Sequence, residues 1–235
     1  MMKILLCSVL AFCTFSKQPQ NQRDQEWALV QGELRSIAVG NSDNVWGIGL
    51  NFGVWKYENG VFVSKKGLLE SISVGGDGTV WGVGVHSGIH KWENDSWVKI
   101  PGALRQISVG DADNIWGVGD GNSVWQRRAD KWIKIPMAKA NWISVGHDGT
   151  VWGIRVDATV WKWNGEKFEK QVGELKKVIV QNAENIWGLN FHNQPVKWNG
   201  KEWELKFEGS AEDLSVGIDG SVWVVKANGK VFKIV

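Results

Sequence analysis

Six tryptophans, Trp46, Trp81, Trp116, Trp152, Trp187 and Trp223, stand 35, 35, 36, 35 and 36 residues apart. Around each lies a version of one stretch, clearest as Ile72-Ser73-Val74-Gly75-Gly76-Asp77-Gly78-Thr79-Val80-Trp81-Gly82-Val83. It reads as a short apolar strand, a tight turn and a second strand, because Asp-Gly tolerates the positive φ that hairpin turns demand. A near-fixed period of this length marks a repeat array, in which no unit buries its apolar face alone. The 235 residues therefore read as one domain, although their number would allow two.

Repeat 2 divides into four strands, over 69–74, 79–83, 89–92 and 97–100, with little chain left for loops. The chain ends carry a further constraint. Glu26-Trp27-Ala28-Leu29-Val30 has no repeat before it and matches the last strands of later repeats, such as Ser96-Trp97-Val98-Lys99-Ile100. The C-terminus, Lys230-Val231-Phe232-Lys233-Ile234-Val235, stops one strand short. Together they predict an all-β, six-bladed β-propeller of four-stranded antiparallel blades, closed by the N-terminal strand completing the last blade. Closure removes the exposed edges that an open array would present for aggregation. A slower rhythm is superimposed. Repeats 2, 4 and 6 turn through Asp77-Gly78, Asp148-Gly149 and Asp219-Gly220, whereas repeats 1, 3 and 5 carry Ser42-Asp43-Asn44, Ala112-Asp113-Asn114 and Ala183-Glu184-Asn185. Duplication of a two-repeat unit would give this alternation, and so would two different demands on the turns.

The start of the chain is of another kind. Lys3, an apolar run over 4–15 and small residues near a cut at Ala11-x-Cys13 or Thr14-x-Ser16 predict a secretory signal peptide over 1–16. A flexible lead-in over 17–25 and the propeller over 26–235 follow. The expected location is extracellular, with the cytoplasm as the alternative. A buried or membrane-associated segment is the other reading of the apolar run, although it is too short for an ordinary span. No membrane insertion of the mature chain is expected. Cys7 and Cys13 are the only cysteines, so cleavage would leave the mature chain without a disulfide staple. The net charge of +2 is spread among carboxylates with no basic stripe, which argues against nucleic acid.

The perfectly recurring tryptophans suit packing between neighbouring repeats, where a large aromatic buries about 150 Å² or more. The outer-strand set Trp27, Phe62, Trp97, Trp132, Phe168 and Trp203 reads as core for the same reason. Better ground for binding is the variable stretch between second and third strands, because loops on a rigid scaffold carry function disproportionately. There Asn51, His86, Asp120, Asn122, Asp157, His192 and Asn193 sit close to Trp55, His90, Trp125 and Trp161. Short polar side chains beside an aromatic fit a sugar, whose ring stacks and whose hydroxyls both donate and accept. Ordinary turn chemistry would select many of the same residues. Asp77, Asp148 and Asp219 belong to well-separated repeats and cannot jointly supply the several oxygens calcium needs. His86, His90, His147 and His192 form no metal-ligand spacing, and no phosphate loop opens a helix. No metal, cofactor or enzymatic activity is expected.

The units Val-Gly, Asp-Gly-Thr-Val-Trp-Gly-Val and Trp-x-x-Ile-Pro-Gly resemble the tectonin family, and the resemblance covers nearly all of 27–235. It implies a six-bladed propeller closed by its N-terminal strand. It also implies binding of lipopolysaccharide, N-acetylglucosamine or methylated sugars on microbial or cell surfaces, as a lectin of innate-defence type; an oligomer is compatible with this. The alternative within the family is a non-enzymatic protein-interaction scaffold. Two departures stand out. The Asn that often follows Trp-Gly-Val in animal members survives only as Asn190, facing Gly49, Gly84, Gly119, Arg155 and Lys226 elsewhere. The family's Tyr position holds Trp55, His90, Trp125, Trp161, Val196 and Phe232.

Overall fold

The fold is described by a computed structural model over residues 27–136, 139–207 and 209–234. The expected signal peptide (1–16) and lead-in (17–25) lie outside the described residues. Apart from one 3-10 turn (Asp120–Asn122), the regular elements of the described residues are strands. The chain enters as β1 (Trp27–Glu33), then runs through β2 (Ser36–Asn41), β3 (Asn44–Ile48), β4 (Gly53–Glu58) and β5 (Val61–Val74). Next come β6 (Val80–Gly84), β7 (Gly88–Glu93) and β8 (Ser96–Ala103), then β9 (Gln106–Val109), β10 (Ile115–Val118), β11 (Val124–Arg128) and β12 (Lys131–Ile135). The third group is β13 (Ala140–Val145), β14 (Val151–Arg155), β15 (Thr159–Trp163) and β16 (Phe168–Glu174), followed by β17 (Lys177–Asn182), β18 (Asn185–Leu189), β19 (Pro195–Trp198) and β20 (Trp203–Leu205). The last strands are β21 (Asp213–Val216), β22 (Val222–Val225) and β23 (Lys230–Ile234).

These strands form antiparallel meanders. β9–β12, β13–β16 and β17–β20 are three four-stranded sheets, and β21–β22–β23 takes β1 as its fourth strand. Trp27 pairs with Ile234 and Val30 with Val231, so the strand without a repeat before it completes the repeat that lacks a last strand. β2 to β8 form one seven-stranded sheet, because β5 serves both as fourth strand of the first repeat and as first strand of the second. The sequence reading begins a new strand at Leu69; the backbone instead runs on through shifts of register on both sides of Leu68-Leu69. Such bulges re-aim a strand without ending it.

The first strands of successive repeats stand side by side around a channel, joined by side chains rather than by a ladder. Serine hydroxyls accept from the neighbour's backbone: Val39 N–H to Ser215 Oγ at 3.0 Å, Val109 to Ser73, Val145 to Ser108 and Val180 to Ser144, each at 2.9 Å. At the ends of these strands the backbones touch. A Cβ on Gly40 would lie 2.6 Å from Gly75 O, one on Gly110 2.1 Å from Gly146 O, and one on Gly217 3.0 Å from Asn41 Cα. Only glycine allows that approach.

Further out, each recurring tryptophan fills the seam to the next repeat, as the sequence reading expected. All six are buried. Trp46 meets Trp92 at 5.2 Å and Trp97 at 6.2 Å, edge to face. Trp152 meets Trp198 and Trp203 at 5.6 and 6.0 Å, and Trp223 meets Tyr57, back in the first repeat, at 5.0 Å. Contacts of this geometry add about 0.5–1.5 kcal/mol each beyond the area they bury.

The two-repeat rhythm has a physical counterpart at the first-to-second-strand turns. Asp77, Asp148 and Asp219 each hold their own turn and also accept from the following repeat: Ala112 N–H at 2.9 Å, Ala183 N–H at 2.8 Å and Ser42 N–H at 2.7 Å. Backbone bonds run alongside, from Gly76 N–H to Gly110 O, His147 N–H to Gln181 O and Ile218 N–H to Gly40 O. The even repeat supplies the carboxylate and the odd repeat the amide. In odd repeats Asn44 and Asn185 instead accept the indole N–H of Trp46 and Trp187 at 2.8 and 2.9 Å. In even repeats Thr79 and Thr150 turn to the Asp carboxylates, and the buried Trp81 and Trp152 indole N–H groups meet no acceptor among the described residues.

Candidate functional site

Antiparallel meandering puts all second-to-third-strand loops at one end, opposite the Asp clasps. All eleven candidate residues lie at this end. The loops share one backbone form. Phe52, Ser87, Asn122, Ala158, Asn193 and Gly229 hold the equivalent position, and each has φ between 59° and 81°. Their carbonyls then anchor the chain entering the next repeat: Phe52 O accepts Leu69 N–H, Ser87 O accepts Leu104, Ala158 O accepts Leu175, Asn193 O accepts Ala211 and Gly229 O accepts Leu34. Five of the six loops are therefore fixed at their bases by the same backbone bond.

Much of the predicted polar chemistry is turned inward. Asn51 Oδ1 accepts Gly53 N–H at 3.1 Å. Asp157 accepts both the Thr159 amide and hydroxyl, at 3.2 and 2.6 Å, and that hydroxyl bond, first among its neighbours, holds the carboxyl below its ordinary range. Asp120 is exposed on the 3-10 turn, where its carbonyl accepts the Ser123 hydroxyl, and Asn122 is half-buried. Asn193 Oδ1 accepts Lys176 Nζ at 2.7 Å. His192 has an exposed side chain and a backbone N–H given to Asn190 Oδ1, while His86 is exposed at the tip of its loop.

The third-strand residues are half-buried supports. Trp125 and Trp161 donate their indole N–H to Ser123 Oγ and Thr159 Oγ1, at 2.9 and 2.7 Å, and Arg155 lies 5.0 Å above the Trp161 ring. His90 Nδ1 lies 3.0 Å from Gly88 O, and Trp55 packs against the core. Turn chemistry thus accounts for part of this candidate set; the parts left facing solvent are the tips.

The residue just before each polar tip was missed by the sequence reading. Leu50, Val156 and Phe191 are 60%, 47% and 53% exposed, each followed by an exposed polar residue, Asn51, Asp157 or His192. Val85-His86 repeats the pattern with a partly covered valine. The signal was available as an apolar residue recurring immediately before the polar one at the repeat spacing. Arg35 stacks on Phe52 at 4.5 Å beside the first of these tips.

The loop end also rims the wide part of the channel, a cavity of about 410 Å³. Arg35, Glu70, Arg105, Lys176 and Glu212 stand around its mouth, so no single sign of charge dominates. Within it Lys177 pairs with the buried Asp213, whose other carboxylate oxygen accepts Ile37 N–H at 2.9 Å. Lys177 Nζ also lies 4.5 Å over Trp142, whose indole N–H reaches Val178 O. These groups tie four neighbouring repeats together. At the clasp end the space narrows to about 30 Å³ between Val39, Val74, Val109, Val145, Val180 and Val216. Among the described residues no cluster of three or more His, Cys, Asp or Glu could hold a metal ion, and no helix is long and apolar enough to cross a membrane.

Antiparallel four-stranded sheets set around a channel, with loops gathered at its two ends, are the architecture of β-propellers. Solved structures of similar fold include the WD40 β-propeller domain of Doa1, with a TM-score of 0.61 at 9% identity, over 90% of this chain and 97% of that one. A chain from the structure of YCF48 bound to D1 peptide has a TM-score of 0.56 at 10% identity, over 92% of this chain and 98% of that one. One from the mitotic checkpoint complex has a TM-score of 0.63 at 10% identity, over 97% and 99%. At such identities the likeness concerns the fold alone. Within that fold the Tectonin domain matches residues 13–88, 34–131 and 122–199, and the chain belongs to the tectonin family. No curated protein matches it in sequence.

Proposed function

We propose that this protein is a non-enzymatic lectin: a six-bladed propeller closed by β1, secreted, that binds glycans on microbial or cell surfaces through the second-to-third-strand loops. The ring reading is supported by the glycine contacts that run from Gly40 round to Gly217 and Asn41, and by Trp223 packing on Tyr57. No sheet among the described residues closes on itself, nor does a propeller need one; its closure lies in a last sheet that draws on both chain ends.

The observation that carries the binding reading is the repeated pair at the loop tips, an exposed apolar residue followed by an exposed polar one. Leu50-Asn51, Val156-Asp157 and Phe191-His192 are displayed on turns whose bases are held by backbone bonds to the next repeat. The apolar member offers a surface for the C–H face of a pyranose, and the polar member a partner for its hydroxyls. Each site is shallow, so affinity comes from repetition, which raises avidity by roughly 10²–10⁴ where several sites reach one surface. Lipopolysaccharide, N-acetylglucosamine and methylated sugars are the glycans to try first. A glycan array with the purified protein, paired with binding to bacterial and fungal cells, is the test. Binding to a defined sugar class, competed by the free sugar, is expected. An empty array with no cell binding would overturn the reading and leave a protein-interaction scaffold as the better account.

A further inference from the structure

One triplet carries chemistry that neither the ring nor the loop face uses. Asn94-Asp95-Ser96 is the only Asn-x-Ser/Thr triplet in the 235 residues with a non-proline middle residue. That pattern is the acceptor for N-linked glycosylation and calls for a surface turn in a secreted chain. The structure places it at the tip of the β7–β8 hairpin, where all three residues are exposed.

Turn chemistry explains only part of it. Asn94 and Asp95 have φ of 48° and 56°, as Asn59 and Gly60 have 51° and 89° in the preceding repeat, so a tight two-residue hairpin accounts for an Asn at 94. It does not account for Ser96, whose counterparts are Val61 and Lys131. The only hydrogen bond Ser96 Oγ makes among the described residues is to Glu93 O at 3.1 Å, on the surface. We propose that Asn94 is an N-glycan attachment site, an inference that rests on the secretory reading above.

The donor is a lipid-pyrophosphate-linked oligosaccharide, supplied with its transferase in the secretory compartment. The Asn94 Nδ2–C1 bond to the first sugar forms as the C1–O bond to pyrophosphate breaks. The lipid pyrophosphate leaves with that electron pair, and the amide loses one proton. The position suits the fold. β7 separates Asn94 from its second-to-third-strand loop by roughly 17 Å, so a glycan there leaves the candidate sugar face clear. It would stand beside β8, the edge of the seven-stranded sheet, and a bulky hydrophilic group hinders edge-to-edge pairing.

The full chain is expressed in a eukaryotic secretory host, and the protein in the medium is treated with peptide N-glycosidase in ¹⁸O-labelled water. A mobility shift removed by the enzyme, with label on residue 94 alone, is expected. The shift should vanish in Asn94→Gln and in Ser96→Ala, and occupancy should rise in Ser96→Thr. Thermal unfolding of each variant separates loss of the glycan from loss of the fold. Secreted wild-type protein with unmodified Asn94 would overturn the inference. If the chain is not exported at all, the secretory reading fails; the same assay on residues 17–235 behind a foreign leader then decides, and an unmodified Asn94 there again overturns the proposal.

Discussion

The two ends of the channel draw on the same residue types, Asn, Asp and Gly, and use them differently. At the clasp end each Asp of an even repeat holds its own turn and reaches across the seam to another repeat, so the turn is part of the joint between repeats. At the loop end Asn51 and Asp157 satisfy only their own turns, and the bond to the next repeat comes from a backbone carbonyl. Side-chain identity is therefore constrained at one end and free at the other. A fold that lets its loops vary without loosening them can change what it binds while keeping its stability.

The sharpest break of this comparison is a methyl group at each end. Gly110→Ala would put Cβ 2.1 Å from Gly146 O, a backbone atom that cannot step aside without moving a strand. A loss at the upper end of about 1–3 kcal/mol, or failure to fold, is expected in urea unfolding. Gly121 at the loop end has φ of 61° and nothing within 4 Å of its Cβ position. Gly121→Ala should cost only the left-handed backbone term, about 1–2 kcal/mol, and Gly121→Asn less. Equal losses for Gly110→Ala and Gly121→Asn would mean that the backbones do not touch at the clasp end.

Acid comes next. Partial loss of water around the largely exposed Asp219 works against its charge, but hydrogen bonds from Ser221 and Ser42 outweigh it and bring the carboxyl from 3.8 down to about 2. Asp148 is lowered in the same sense: burial opposes its charge, and bonds from Thr150 and Ala183 with the nearby His147 prevail. A depressed carboxyl contributes stability that is fully present above its unfolded value and is lost as pH falls through its folded one. The urea midpoint should therefore drop between about pH 4 and pH 2. Asp219→Asn, which keeps an acceptor for Ser42 but cannot titrate, should flatten that drop at a cost near neutral pH of about 1 kcal/mol or less, because the group is exposed. An unchanged acid slope in Asp219→Asn would show that the clasp does not depend on its charge.

The repeated antiparallel sheets were legible in the sequence because their determinants are periodic. Buried Trp46 to Trp223, the Gly that follows most of them and the apolar first strands recur at one spacing, and the strand beginning at Trp27, which has no repeat before it, matches a gap at the other end. The alternation of Asp-Gly with Asn-containing turns was legible as a pattern but not as a cause, since the bond from Ser42 N–H to Asp219 joins residues 177 apart. The candidate site was half legible. Asn and Asp look alike in a sequence whether they face a ligand or cap a turn, and here one oxygen of Asn51 and one of Asp157 cap turns while both side chains stay exposed. Leu50, Val156 and Phe191 were passed over because apolar residues in a β-repeat read as core until the geometry turns them outward.

The smallest expected effect on stability falls on those tips, and it is the one that bears on function. Phe191→Ala, Leu50→Ala and Val156→Ala remove exposed side chains on turns held by backbone bonds, so each should shift unfolding by no more than about 0.5 kcal/mol. Binding should respond quite differently. With a free sugar, each substitution abolishes one site and leaves the others, so the number of sites falls while the affinity of the rest holds. On a dense glycan surface the triple variant should lose most of the avidity that repetition supplies. Titration calorimetry with the free sugar and retention on a glycan-coated surface measure the two effects separately. A triple variant that folds normally and is retained like the wild type would move the binding site away from the loop tips, towards the charged mouth of the channel at Arg35, Arg105 and Lys176.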